Sequence, residues 1–450
     1  MPSASQPSPR SPLRRAAAAI ALTALLAGCG GESDKTTGPD GNGGAASLSQ
    51  SLVTAFPTRI APSQASMLTL HARDTGGAPL AGGGLAVQFS VSGGTSGGTL
   101  GAVTDHADGT YTATFTGTTV GTPLTVTATI DGDPVTSAAA TVQVSSQPAL
   151  QDTTEAIALI DMTGYSYRGF PGLLYPDGNV CPAAHVAWKP KVDADQPFVF
   201  LSLGMSNVKM EFCDPQTGNV GPQNCADYSF VGKASRDASL NDNMIIVNGG
   251  IGGAVAINWR NPNDNVWTVV GSSLSSFGKT SADVQVVWAK MANKDPVLSL
   301  PNPNADAYVL AGQWADVVRN VKVKFPNVRQ MYLASRIYSC GAPGSLNPEP
   351  MAYESGFAVK WLIEEQIRQL NGQAADPTFG PLTLDVAPWL AWGPYLWADG
   401  NNARSDGLTW EPSDLQGDCT HPSDIGKAKV AQLLLDFLKA SPLTQDWFLD

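Results

Sequence analysis

A carboxylate stands three residues before a histidine in Asp418-Cys419-Thr420-His421, and Pro422-Ser423 leads at once into a helical run toward the C-terminus. An acid at that spacing holds an imidazole in one tautomer and leaves its other nitrogen to face a nucleophile. The chain has only four histidines in 450 residues, so the placement is informative. A nucleophile is available at the end of an apolar run: residues 198–203 lead straight into Gly204-Met205-Ser206-Asn207. A serine hydroxyl is weak until an adjacent base takes its proton, so Ser206 is expected within hydrogen-bond reach of His421, with Asp418 orienting the ring.

The elements that must position these groups are legible between about 151 and 450. Short apolar runs at 157–160, 198–203, 244–247, 284–288 and 331–334 read as strands, and periodic stretches at 305–325, 353–370 and 425–438 read as helices. Strands alternating with helices imply an α/β fold with a flavodoxin-like, doubly wound parallel sheet, whose chemistry collects at the C-terminal ends of the strands. Three polar or glycine-rich pieces follow strands, at 204–207, 248–253 and 289–295, and the Asp–His loop precedes the last helix. All four are expected on one rim. The tetrahedral intermediate of acyl transfer needs fixed donors, which the Ser206 N–H, a glycine N–H of the 248–253 loop and the Asn293 side chain can supply.

With those residues in view, the stretch 155–440 resembles the SGNH (GDSL-type) hydrolases. Its G-x-S-N start is closer to the sialate and acetylxylan O-acetylesterase branch. The resemblance implies Ser206 as nucleophile, Gly252 as oxyanion glycine with Gly253 as its neighbouring candidate, and Asp418 and His421 as the D-x-x-H pair. One motif departs from the family: where G-x-N-D or Q-G-E is expected the chain has Met291-Ala292-Asn293-Lys294, and only Asn293 fits. The implied activity is ester hydrolysis without metal or organic cofactor; the preferred reading is removal of O-acetyl or similar acyl groups from a polysaccharide, with another ester as substrate left open. Two other readings stay open. One is an inactive surface protein that binds glycans or mediates adhesion; the other is a lipase or phospholipase with an apolar acyl groove.

Asn207, Arg336 and Trp392 are expected to face substrate. Arg336 follows the strand at 331–334, with an ion pair as the competing role. Trp392 belongs to a cluster with Trp389, Tyr395, Trp397 and Trp410 that either stacks on sugar rings or fills space between helix and sheet. His185 reads as structural or substrate-facing, and His71 and His106 as ordinary surface residues.

Residues 48–147 have a different character. Short alternating runs rich in Thr, Val, Gly and Ala are separated by Gly, Asp and Pro turns at the spacing of a β-sandwich. Asp108-Gly109-Thr110-Tyr111-Thr112-Ala113 resembles the turn and strand of bacterial immunoglobulin-like repeats of the invasin or filamin type. Ahead of it, residues 30–47 suit a flexible tether. Arg10, Arg14 and Arg15 precede an apolar stretch at 16–27, too short to span a bilayer, which ends in Leu26-Ala27-Gly28-Cys29. That ending resembles a lipobox, so residues 1–29 are expected to be a leader, with Cys29 acylated and Gly30 favouring the outer membrane.

The net charge of −12 and pI near 4.7 argue against nucleic-acid binding. A monomer anchored to a membrane by its N-terminal lipid is the expected state. Export makes disulfides available. Cys213 and Cys225 flank a Pro/Gly/Asn-rich loop and are expected to pair. A second bridge, Cys340–Cys419, is a further expectation that would anchor the Asp–His loop to the sheet and leave Cys181 free.

Overall fold

The computed structural model describes residues 36–37, 45–56, 58–137, 139–145, 151–176, 178–215, 224–342 and 345–450. The expected leader, its Cys29 and most of the tether lie outside the described residues.

The N-terminal body is a sandwich of two sheets. One carries β1 (Leu52–Phe56), β2 (Ala65–His71), β4 (Gly97–Leu100) and β5 (Thr110–Thr119) in the order β1-β2-β5-β4. The other pairs β3 (Val87–Ser92), β6 (Leu124–Ile130) and β7 (Ala140–Val144) about a central β6. Strict alternation builds it: along β6, Leu124, Val126, Ala128 and Ile130 are buried and the three threonines between them are half-buried. Leu68, Leu70, Tyr111, Phe115, Val126, Ile130 and Val142 form its interior.

The C-terminal body is built on five parallel strands: β8 (Phe198–Gly204), β9 (Met244–Gly250), β10 (Val284–Lys290), β11 (Gln330–Ala334) and β12 (Trp389–Trp392). Their order is β9-β8-β10-β11-β12, so the chain reverses its direction of travel across the sheet beside β8. The register sets Gly204 against both Gly250 and Lys290, which makes the C-terminal ends flush. Both faces are covered, so the strands read as continuous apolar runs. Successive residues of β8 alternate between two cores. Val199, Leu201 and Leu203 pack with Trp314 and Phe357 of α4 (Asp306–Lys324) and α5 (Met351–Leu370); Phe198 and Phe200 pack with Phe212, Phe230, Leu434 and Trp447 on the other side.

Two expectations needed correction. Residues 157–160 are not a strand; Leu159–Asp161 is a 3-10 turn, and Leu159 donates its N–H to the Tyr395 hydroxyl at 3.3 Å. The fifth strand is Trp389–Trp392, flush with β11 from Gln330↔Trp389 to Leu333↔Trp392. Flanking Pro388, Gly393 and Pro394 disguise this four-residue strand as a broken loop.

Candidate active site

Ser206 sits where β8 turns into α1 (Ser206–Phe212), at the reversal point of the sheet. Gly204 makes that turn possible. Its φ is +146°, and a Cβ there would lie 2.2 Å from the Lys290 carbonyl oxygen. On the neighbouring strand a Cβ on Gly250 would lie 2.5 Å from the Lys209 nitrogen, so only glycine lets α1 rest against the end of β9. As the first helical residue, Ser206 keeps a backbone N–H with no intrahelical partner.

The Asp–His loop closes over this turn. Ser206 Oγ lies 2.7 Å from His421 Nε2, and His421 Nδ1 lies 2.5 Å from Asp418 Oδ2. The other carboxylate oxygen, Asp418 Oδ1, accepts from the N–H groups of Thr420 and His421, each at 3.0 Å. Partial burial opposes ionisation of Asp418, but these backbone and ring donors outweigh it and hold its pKa below the usual value. The loop is pinched at its base, where Gln416 donates to the His421 carbonyl at 2.8 Å. It hands over to α6 (Asp424–Ala440), whose first turn is capped by Ser423 Oγ accepting from Gly426 N.

Both expected disulfides are present. Cys213–Cys225 closes the loop after α1 with Cα atoms 4.9 Å apart; Cys340–Cys419 joins the segment after β11 to the Asp–His loop at 4.8 Å. Cys181 is free and half-buried, and burial pushes its thiol up to about 11. Next to the second bridge, Ser339 Oγ donates to the Cys419 carbonyl at 2.9 Å.

The expected oxyanion groups divide. Gly252 and Gly253 lie exposed in the bend after β9, Gly253 at φ +77°, and neither N–H has a partner among the described residues. Ile251 N donates to the Gly204 carbonyl at 2.9 Å, which ties this bend to the serine turn. Asn293 is committed elsewhere: its side-chain nitrogen donates to the Asp306 carbonyl at 3.1 Å, at the start of α4. The donor that the family pattern assigns there therefore holds a helix end.

None of the three residues expected to face substrate does so. Asn207 and Arg336 are 1% and 0% exposed, and both reach the Thr420 carbonyl beneath the loop. Trp392 is in the core and donates its indole N–H to the Leu174 carbonyl at 2.7 Å. Trp389, Tyr395, Trp397 and Trp410 are buried as well, so the aromatic cluster fills space between sheet and helices and offers no sugar platform. His185 is structural: it stacks on Trp389 at 5.0 Å and bonds the Leu390 carbonyl, and burial lowers its pKa. His106 is exposed, whereas His71 is partly buried in β2 with its pKa lowered by burial.

Sequence reasoning missed an ion pair under Ser206. Lys290, the last residue of β10, contacts Glu211 of α1, and both side chains are fully buried. Burial pushes the Glu211 carboxyl up and the Lys290 ammonium down to about 8, each opposed by its partner. A charge ending the apolar run Val286–Ala289 was the available signal.

Comparisons with known proteins divide along the same line as the two bodies. The family model for invasin domain 3 matches residues 47–147, so the sandwich is an invasin-type immunoglobulin-like domain. Among solved structures, the Yersinia pseudotuberculosis adhesin InvE is 33% identical over 22% of this chain and 27% of its own, with TM-score 0.20. Invasin, described as a bacterial integrin-binding protein, is 36% identical over 23% of this chain and 20% of its own, with TM-score 0.20. This chain thus spans about a quarter of the length of the adhesins it matches. A Parabacteroides merdae protein named as a GDSL-like lipase is 14% identical over 55% of this chain and 98% of its own, with TM-score 0.32. No curated protein matches the chain.

Proposed function

We propose that the chain is a bacterial surface serine esterase of the SGNH type, anchored by a lipid on Cys29. The single observation that carries the reading is the unbroken relay Ser206 Oγ–His421 Nε2–His421 Nδ1–Asp418 Oδ2, at 2.7 and 2.5 Å. Ser206 Oγ attacks the ester carbonyl carbon and its proton passes to His421 Nε2. The oxyanion is met by the N–H groups of Ser206 and of Gly252 or Gly253. Collapse breaks the bond to the alcohol oxygen, which leaves with the proton from His421. Water then attacks the acyl-Ser206 carbonyl with His421 as base, releasing the carboxylic acid and restoring the serine. Asp418, held ionised, stabilises the imidazolium formed in both steps. An invasin-type domain and two disulfides support an extracytoplasmic bacterial location.

The acyl group is the open variable. The O-acetyl-polysaccharide reading loses support from the buried aromatic cluster. A longer acyl chain would need apolar surface beside Ser206, for which Ile257, Val297 and Leu346, 58%, 74% and 41% exposed on the segments after β9, β10 and β11, are the candidates. Those segments are laced together by Ala256 N to Ala292 O at 3.1 Å and Asp295 N to Leu346 O at 3.0 Å. The test is hydrolysis of aryl esters of increasing chain length by the purified protein and by Ser206→Ala. The expected outcome is turnover only with Ser206; equal rates for the two proteins overturn the esterase reading and favour an inactive adhesion protein. A preference for acetyl would return the substrate to O-acetylated glycans.

A further inference from the structure

We infer that Arg336 and Asn207 are positioning residues that fix His421 on Ser206 by clamping the Thr420 carbonyl, an inference that rests on the esterase reading. Arg336 Nη2 donates to Thr420 O at 2.9 Å and Asn207 Nδ2 to the same oxygen at 3.1 Å. That oxygen belongs to the peptide unit whose nitrogen is the His421 N–H, and the N–H is held at 3.0 Å by Asp418 Oδ1. A peptide unit is planar, so gripping both its oxygen and its N–H fixes the plane from which the His421 side chain departs. The His421 carbonyl is held on the other side by the Gln416 N–H at 2.8 Å, which restrains the backbone torsions of His421, and Asp418 Oδ2 and Ser206 Oγ hold its two side-chain torsions.

The two donors come from different places. Asn207 is next to the nucleophile on α1, so it links the serine's own backbone to the histidine's peptide. Arg336 comes from the segment after β11 and is itself aimed from the far side: its Nε donates to Asn347 Oδ1 at 3.2 Å and its backbone N–H to Ser355 Oγ at 3.1 Å. Asn347 in turn donates to the Asn293 carbonyl at 3.3 Å, so the ends of β10 and β11 and the Asp–His loop share one network. Neither residue reaches solvent, which excludes direct contact with substrate. Burying a guanidinium is costly, and here the charge faces Glu211, Glu349 and Asp418, with Lys290 as the competing cation on Glu211. A fully buried cation retained at that cost, directed at the residue before the catalytic histidine, is what a positioning role requires.

The test is steady-state kinetics on a short-chain aryl ester, with thermal melting, for wild type, Ser206→Ala, Arg336→Met, Arg336→Lys and Asn207→Ala. Arg336→Met should lower kcat about 100-fold with KM little changed, because small misplacement of a catalytic group is expensive. Its melting temperature should fall, since the buried carboxylates that faced the guanidinium lose their partner, so kcat is read well below the melting temperature of each variant. Arg336→Lys should restore most of the lost kcat by returning a charged donor. If Arg336→Met does not fold, Asn207→Ala carries the same kcat-without-KM expectation. Wild-type kcat in Arg336→Met or in Asn207→Ala overturns the inference. So does an effect confined to KM, or a kcat loss that follows the melting temperature and is not rescued by Lys. Failure of the esterase reading is separate: wild type would then be no more active than Ser206→Ala.

Discussion

The two bodies treat polar groups in opposite ways. Among the described residues of the sandwich, the side chains buried beside its apolar interior are serines: Ser47, Ser51, Ser66 and Ser96. The α/β body instead buries Glu211, Lys290, Arg336, Glu354, Glu365 and Arg404. Holding a shape needs only apolar area and paired backbone, which the alternating strands of the sandwich provide. Holding an acid, a base and a nucleophile to a few tenths of an ångström needs directional bonds. Buried charge-assisted bonds are the stiffest available, at a desolvation cost that makes them poor general stabilisers. On the esterase reading, shape and chemistry are divided between separate interiors.

The contrast yields expectations that can be ranked by size. The largest is in the relay. Asp418→Asn should lower kcat about 10⁴-fold, because the amide presents a donor to the ring and favours the wrong tautomer. Ester hydrolysis assayed alongside melting temperature checks this, and a loss under about tenfold would remove Asp418 from the mechanism.

Next comes the sandwich interior. Phe115 is fully buried in β5, and Phe115→Ala should destabilise the sandwich by about 4 kcal/mol while leaving kcat unchanged. All 11 tryptophans lie at 188–447. The prediction is thus an early denaturant transition in far-ultraviolet circular dichroism, with the tryptophan-fluorescence transition unmoved. A shift of the fluorescence transition, or a fall in kcat, would show that the two interiors are coupled.

The smallest is a pH effect confined to the α/β body. Burial raises the Glu354 carboxyl to about 7, although the Leu300 N–H and Tyr167 hydroxyl oppose the shift. Its folded value exceeds its unfolded one, so the folded state binds the extra proton between them. That stabilisation is complete below the unfolded pKa and is lost as pH rises through about 7; it is worth on the order of 3 kcal/mol. Asp418 has the opposite sign: its pKa is depressed, so its contribution is present at neutral pH and disappears on acidification. Fluorescence-monitored denaturation of wild type and Glu354→Gln across neutral pH measures the first effect. An identical pH slope in the two proteins would remove Glu354 as its source.

Most strands and helices were legible because their signals are local. The runs at 198–203, 244–247, 284–288 and 331–334 became β8 to β11 with small extensions, and the three periodic stretches became α4, α5 and α6. The relay was legible because Asp418 and His421 share one loop and Ser206 ends a strand. The failures have a common physical origin. Arg336 and Asn207 were placed correctly along the chain, at or near a strand end, and wrongly in direction. Trp392 was read as part of a broken loop and is the last residue of β12. Both faces of a parallel sheet are covered, so a large polar or aromatic side chain at a strand end can point out to a rim or down into a core, and periodicity does not distinguish the two. Asn293 failed likewise: it follows β10 as expected, but the start of α4 lies near enough to capture its amide.

The chain by itself determined which residue types carry chemistry and how the nearest of them relate. An acid three residues before a histidine can accept the histidine's backbone N–H and close an Asx turn on the N–H before it, because both bonds lie within a single loop. Only the tertiary structure decided that Ser206 meets His421 across 215 residues, and that Arg336 reaches Thr420 across 84. Those meetings depend on the order and register of five parallel strands, which bring ends distant in sequence to one rim. They depend equally on burial, which turned a guanidinium expected at the surface into a bond on the peptide that carries His421.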